Sequence, residues 1–256
     1  GAMSVDGLHN TRPIEFPVPA PKDAEAMFAT RTYEKGASVL RMLEQYLGPE
    51  VFRAGVRHYL TAHAYGNADT RDLWVSLEQA AKQPVPALMD AWVFTPGYPL
   101  ITARVQSGNQ LVLSQQRFTY LPSPPNDTPE ESRTAATQLW HVPIQYQILT
   151  KSGSQKGQVL LTARETTVPL PNGAETVLLN AGGHGFYRVR YSDDLLKGLL
   201  QRLPHDLAPI ERFNLVSDVW AATKSGLVPL DRYLDLTATF RQERDKNVWT
   251  VLLGSF

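Results

Sequence analysis

The chain has 256 residues, 43% of them hydrophobic, enough for one large core or several small ones, so two or three domains are expected. Lys plus Arg and Asp plus Glu each number 25, which excludes an overall field drawing the protein to nucleic acid or an anionic membrane. With no cysteine, disulfides, thiolate metal sites and a cysteine nucleophile are excluded together.

Gly1-Ala2-Met3 reads as the remnant of a cleaved tag, so a targeting signal is not on view and the compartment stays open, with the cytoplasm favoured. From about Asp23 to Tyr98 the pattern is helical. Tyr33, Gly36, Ala37, Leu40, Leu43 and Leu47 share one face at three- and four-residue spacing. Gly48 and Pro49 separate this helix from a second that carries Phe52, Val56, Tyr59 and Leu60. A third helix is capped by Asp69 or Thr70 and turns Leu73, Trp74, Leu77 and Ala81 inward. Pro86 opens a fourth with Leu88, Met89, Trp92 and Val93, and Thr95-Pro96-Gly97-Tyr98-Pro99 ends it at a domain boundary.

From Leu100 to Tyr191 the period becomes two, most clearly where Val142, Ile144, Tyr146 and Ile148 alternate with Pro143, Gln145 and Gln147. Further strands are predicted over Gln110 to Phe118, Gln158 to Val168, Thr176 to Leu179 and Phe186 to Tyr191, the set of a small β-sandwich. Leu121 to Thr137 reads as a long exposed loop, Gly182-Gly183-His184-Gly185 as a hairpin turn, and Arg188 and Arg190 as a solvated pair on one sheet face. Helical periodicity then returns over Leu195 to Leu203 and along Ile210, Phe213, Val216, Ser217 and Trp220, and apolar residues are still accumulating at the end. No apolar run approaches the roughly 20 residues of a membrane-spanning helix.

Composition and spacing supply little chemistry. His58 and His63, the closest histidine pair, point about 140° apart on a helix, and no second ligand lies near His141. Ser38, Ser76 and Ser217 lack a His and Asp arrangement, and the five tryptophans fall on apolar stripes. Glu34 and Lys35 read as helix-surface charges with no part in catalysis. From its stripe alone, Tyr33 is a buried structural tyrosine.

The stretch Asp6-Gly7-Leu8-His9-Asn10-Thr11-Arg12-Pro13-Ile14, then Met27-Phe28, then Thr32-Tyr33-Glu34-Lys35-Gly36-Ala37, resembles the zinc aminopeptidases of the aminopeptidase N and puromycin-sensitive aminopeptidase family, which are gluzincins. Tyr65-Gly66-Asn67-Ala68, Asp72-Leu73-Trp74, Met89-Asp90-Ala91-Trp92, Pro96-Gly97-Tyr98-Pro99, Gly185-Phe186-Tyr187-Arg188-Val189-Arg190-Tyr191 and Ile210-Glu211-Arg212-Phe213-Asn214 carry the likeness along almost the whole chain. The resemblance implies a multidomain α + β chain. Residues 1–98 would be the helical rear half of a thermolysin-like catalytic domain, 99–191 a small β-sandwich, and 192–256 the beginning of a C-terminal α-helical domain of helix pairs.

By resemblance, the whole protein would use zinc to hydrolyse N-terminal residues from peptides. Tyr33 would donate a hydrogen bond to the tetrahedral intermediate, and Phe28 would line the pocket for the substrate's first side chain. Relatives commonly carry an acidic residue after that phenylalanine, where this chain has Ala29. No His-Glu-x-x-His occurs in the sequence, so the family's zinc motif is inferred to have been removed by truncation, and the chain alone is expected to bind no zinc and to be inactive. Expected partners are the peptide substrate and the missing N-terminal half of the catalytic domain, not nucleic acid or membrane. Uncovered apolar faces suggest self-association or disorder before Phe28. The alternative is a natural non-catalytic binding module on the same scaffold.

Overall fold

The computed structural model describes residues 1–21, 28, 31–120 and 137–255. The predicted loop after Leu121 lies outside the described residues up to position 136, as do Met27 and Ala29. Helix α1 (Ala2–Asp6) is followed by a single π-helical turn, Arg31–Lys35, which runs directly into α2 (Gly36–Leu47). Then come α3 (Pro49–Ala62), α4 (Thr70–Ala81) and α5 (Val85–Val93). Asp69 caps α4, accepting from the Arg71 and Asp72 N–H groups at 2.8 and 3.2 Å, while Asp72 accepts from the Asp69 N–H at 2.9 Å. Helices α3 and α4 approach closely at Gly55, where a Cβ would lie 2.8 Å from Leu77 Cα.

Several residues of the N-terminal segment are hydrogen-bonded to the rest of the fold. The Tyr98 hydroxyl donates to Met3 O at 3.0 Å, the Tyr120 N–H to Gly7 O at 3.1 Å, and Arg117 Nη2 to His9 O at 3.1 Å. Such local pairing removes the unsatisfied backbone groups that would otherwise favour a solvated tail.

The strands form two small sheets, so the fold is mixed α and β. One sheet has the order β5-β2-β1-β7, built from β1 (Pro99–Gln106), β2 (Gln110–Arg117), β5 (Glu165–Pro169) and β7 (Arg188–Tyr191). Its centre is an antiparallel β1–β2 pair, with β7 parallel to β1. The other sheet, β4-β3-β6, comprises β3 (Val142–Thr150), β4 (Gly153–Leu161) and β6 (Ala174–Leu179). The strand predicted over Gln158 to Val168 is therefore two strands in different sheets. Buried Gln115 on β2 explains the break: its amide donates to Trp140 O and Ala163 O, both at 2.9 Å, and accepts from the Trp140 N–H at 2.9 Å. The Gly182–Gly185 stretch likewise joins β6 in one sheet to β7 in the other, so it is a crossover and not a hairpin turn.

The buried residues of α2, α4 and α5 and of both sheets form one apolar cluster centred on Trp92, Trp140, Tyr98, Phe118 and Phe186. A second cluster belongs to α6 (Asp193–Asp206), α7 (Pro209–Lys224), α8 (Leu230–Ala238) and α9 (Lys246–Leu253), with Leu149 and Leu178 contributed by the β3–β6 sheet. On α7 the buried line runs through Glu211, Leu215, Asp218, Val219 and Ala222. Ile210, expected inward, is exposed, because buried Glu211 takes the inward place: it accepts from the Gly182 N–H at 2.8 Å and the Ala208 N–H at 2.7 Å.

Candidate active site

The π-helical turn carries Tyr33 outward and Lys35 inward. Lys35 is fully buried, where the sequence suggested a surface charge. Its Nζ lies 3.0 Å from Asp6 Oδ2, whose side chain is equally buried, and donates to Gly97 O at 2.8 Å and Thr95 O at 3.2 Å. Asp6 Oδ1 in turn accepts from Thr11 Oγ1 at 2.5 Å and from the Gly97 N–H at 3.3 Å. Gly97 has φ +80°, and a Cβ there would meet Arg117 Nε at 3.1 Å, so glycine fits the close approach on both counts. Burying an ammonium costs several kcal/mol, which only a well-placed carboxylate and satisfied donors offset. Because Lys35 occupies the inward line with Val39, Met42, Leu43 and Leu47, the predicted stripe through Tyr33, Gly36 and Ala37 is rotated off the core.

Tyr33 is 60% exposed, which removes the reading of a buried structural tyrosine. Phe28 is 74% exposed, and its ring centroid lies 6.5 Å from that of Tyr33. The two residues singled out by resemblance thus stand side by side on the surface. π-helical turns are rare and recur at functional sites, which suits a side chain held outward by a buried neighbour.

Glu34, on the same turn, lines a cleft of about 640 Å³ with Ala37 and Arg41 of α2, His184 of the crossover, and Asn214 and Ser217 of α7. Burial and the Arg41 charge hold His184 below its ordinary value, against the pull of Glu44. The cleft wall is tied together by Arg188, which is buried and not solvated as the strand alternation suggested. Arg188 Nη1 donates to Asp218 Oδ1 at 2.9 Å and to Ser217 Oγ at 2.7 Å, and Asp218 Oδ2 accepts from the Val189 N–H at 3.1 Å. Burial pushes the Asp218 carboxyl above its ordinary value, while Arg188 and the Val189 N–H pull it back. Sequence reasoning missed both buried pairs, since a lone Lys or Arg is ordinarily exposed.

Among the described residues no group of three or more His, Cys, Asp or Glu side chains comes together to hold a metal ion. These residues do not fit a zinc site, and none is assigned to one. No helix among them is long and apolar enough to cross a membrane. A larger groove of about 800 Å³, between β1, β7, α6 and the α7–α8 connection, holds neither Tyr33 nor Phe28.

Residues 1–92 match the Peptidase family M1 domain, and residues 176–256 match the ERAP1-like C-terminal domain. A Thermoplasma acidophilum protein named Tricorn protease-interacting factor F2 is 35% identical over 245 residues, covering 96% of this chain and 28% of that protein. The Caenorhabditis elegans puromycin-sensitive aminopeptidase is 33% identical over 251 residues, covering 96% of the chain and 26% of that enzyme. Aminopeptidase M1 of Arabidopsis thaliana is 32% identical over 255 residues, covering 98% and 29% respectively. The chain therefore spans well under a third of the length of these curated relatives. Similarity to these proteins runs along nearly all of the chain, and the turn that carries Tyr33 lies inside the match to the Peptidase family M1 domain.

Proposed function

We propose that this chain is part of a zinc-dependent aminopeptidase that removes N-terminal residues from peptides, with Tyr33 as its oxyanion donor and Phe28 beside the substrate's first side chain. The observation that carries this reading is the outward presentation of Tyr33 next to Phe28, on a turn pinned from beneath by Lys35. The family to which the relatives belong, and the aminopeptidase names several of them carry, supply the reaction class. We assign residues 1–98 to the helical rear of the catalytic domain, 99–191 to a β-sandwich and 192–256 to the start of the helical domain. The zinc would be held by residues other than those of this chain, which by itself would not turn over substrate.

Tyr33's part is electrostatic. Its hydroxyl donates a hydrogen bond to the carbonyl oxygen of the scissile peptide as negative charge gathers there, and the proton stays on the phenol. A pre-positioned donor of this kind is worth roughly a hundred- to thousandfold in rate. Tyr33→Phe in the full-length enzyme, assayed with fluorogenic aminoacyl amides, should lower kcat by about that factor. Wild-type kcat in that variant would refute the assignment.

A further inference from the structure

Lys35 presents a problem that stability does not solve. An ammonium buried with no exposed surface costs desolvation, and an apolar side chain of similar volume often does as well or better at such a position. What a methionine there would lack is direction. The ammonium donates to the carbonyls of Thr95 and Gly97 on the α5–β1 connection, and it forms an ion pair with Asp6 on α1, its Nζ lying 3.0 Å from Oδ2 but outside hydrogen-bond geometry. The Phe186 ring closes one side, 5.9 Å away. Asp6 is itself oriented by Thr11 and by the Gly97 N–H, so every member of the cluster is fixed by another.

The cluster sits two residues beyond Tyr33, on the opposite side of the same π-helical turn. Any change in the height or rotation of the Lys35 side of this turn is transmitted to the phenol side. An oxyanion donor acts only at hydrogen-bond distance from an oxygen whose position the rest of the enzyme sets, and a displacement of about 1 Å can cost on the order of a hundredfold in rate.

We propose that Lys35, with Asp6, is a positioning residue: the buried pair fixes the turn so that the Tyr33 hydroxyl stands where the tetrahedral oxygen forms. This inference rests on the reading of Tyr33 given above. It predicts that Lys35 influences the reaction through Tyr33 and not through substrate or metal binding.

The test is a double-mutant cycle in the full-length enzyme. Lys35→Met combined with Asp6→Asn removes both charges, so no buried ion is left unpaired, and the amide can still accept from Thr11 and Gly97. In the Tyr33 background this pair of substitutions should lower kcat roughly 10- to 100-fold, with KM and bound zinc within about twofold of wild type. In the Tyr33→Phe background the same pair should change kcat by less than about twofold, because the group it positions is gone. Equal losses in the two backgrounds, or a loss carried by KM or by zinc content, would show a merely structural role and overturn the proposal. A Tyr33→Phe enzyme with wild-type kcat would instead overturn the reading of Tyr33. If the combined variant does not fold, Lys35→Gln with Asp6→Asn, which also leaves no buried ion unpaired, takes its place in the same cycle, with the same two results deciding. As a readout free of turnover, 3-fluorotyrosine at position 33 should give a shifted or broadened 19F line in the Lys35 variant. An unchanged line would count against the proposal.

Discussion

Replacing Arg188 with methionine would strip the Asp218 carboxylate of its partner while leaving it buried against β7 and α7. Arg188 makes two hydrogen bonds across this boundary, at 2.9 Å to Asp218 and 2.7 Å to Ser217, and both ionic side chains are under a tenth exposed. Breaking a buried pair from one side typically costs about 3–5 kcal/mol, because the remaining charge must stay desolvated, protonate, or pull the structure open to water. Arg188→Met combined with Asp218→Asn should cost far less than the sum of the two single changes, since the neutral amide can still accept from the Val189 N–H, giving a coupling of about 2 kcal/mol or more. Tryptophan fluorescence during urea unfolding, with five tryptophans spread over the chain, measures the stability of each variant. A single Arg188→Met variant destabilised by less than about 1 kcal/mol, or strictly additive losses, would refute the view that this pair locks the sheet to the helix.

Glu243 receives Arg212 Nε at 2.7 Å and Nη2 at 2.9 Å, and these hydrogen bonds, opposed by burial and aided by the Asp245 and Arg244 N–H groups, hold it at about 2 instead of 4.5. Since the folded value lies below the unfolded one, this stabilisation is complete above the ordinary carboxylate range and is lost as pH falls through about 2. Glu243→Gln should therefore remove on the order of 1–2 kcal/mol at neutral pH and flatten the acid limb of the stability curve; an unchanged acid limb in urea titrations at pH 2 to 6 would contradict this. Gly55→Ala, which in an ordinary helix would stabilise by up to ~1 kcal/mol, should instead destabilise by ~1–3 kcal/mol because its methyl collides with Leu77. A raised melting temperature would show that α3 and α4 are not in contact there.

What could be read in advance followed hydrophobic period. The alternation of Val142, Ile144 and Ile148 specifies β3, since a half-buried strand repeats every second residue, and Pro49 and Asp69 mark the starts of α3 and α4 because their chemistry suits helix N-termini. Strand β1 escaped individual notice: Leu100, Ile101 and Ala103 are all buried, so the central strand of its sheet lacks a clean inside–outside rhythm. Lys35, Arg188 and Glu211 were illegible for another reason. Each is a charged residue whose partner, Asp6, Asp218 or the Gly182 N–H, lies some 29 residues or more away, and only the fold brings them together. Tyr33 and Phe28 were found through motif resemblance. Periodicity alone gave Tyr33 the wrong orientation, because it counted the buried lysine as an outward position.

The claim at the centre of this account is that the Tyr33 hydroxyl recognises the tetrahedral oxygen and not the planar substrate. Dissociation constants of a phosphinic dipeptide, which mimics the tetrahedral carbon, measured for the full-length enzyme and its Tyr33→Phe variant against those of an unreactive planar amide, separate the two directly. Weakening of the phosphinate by about the same factor as kcat falls, with the planar ligand unchanged, is the predicted result. Equal affinity of both enzymes for the phosphinate would contradict it.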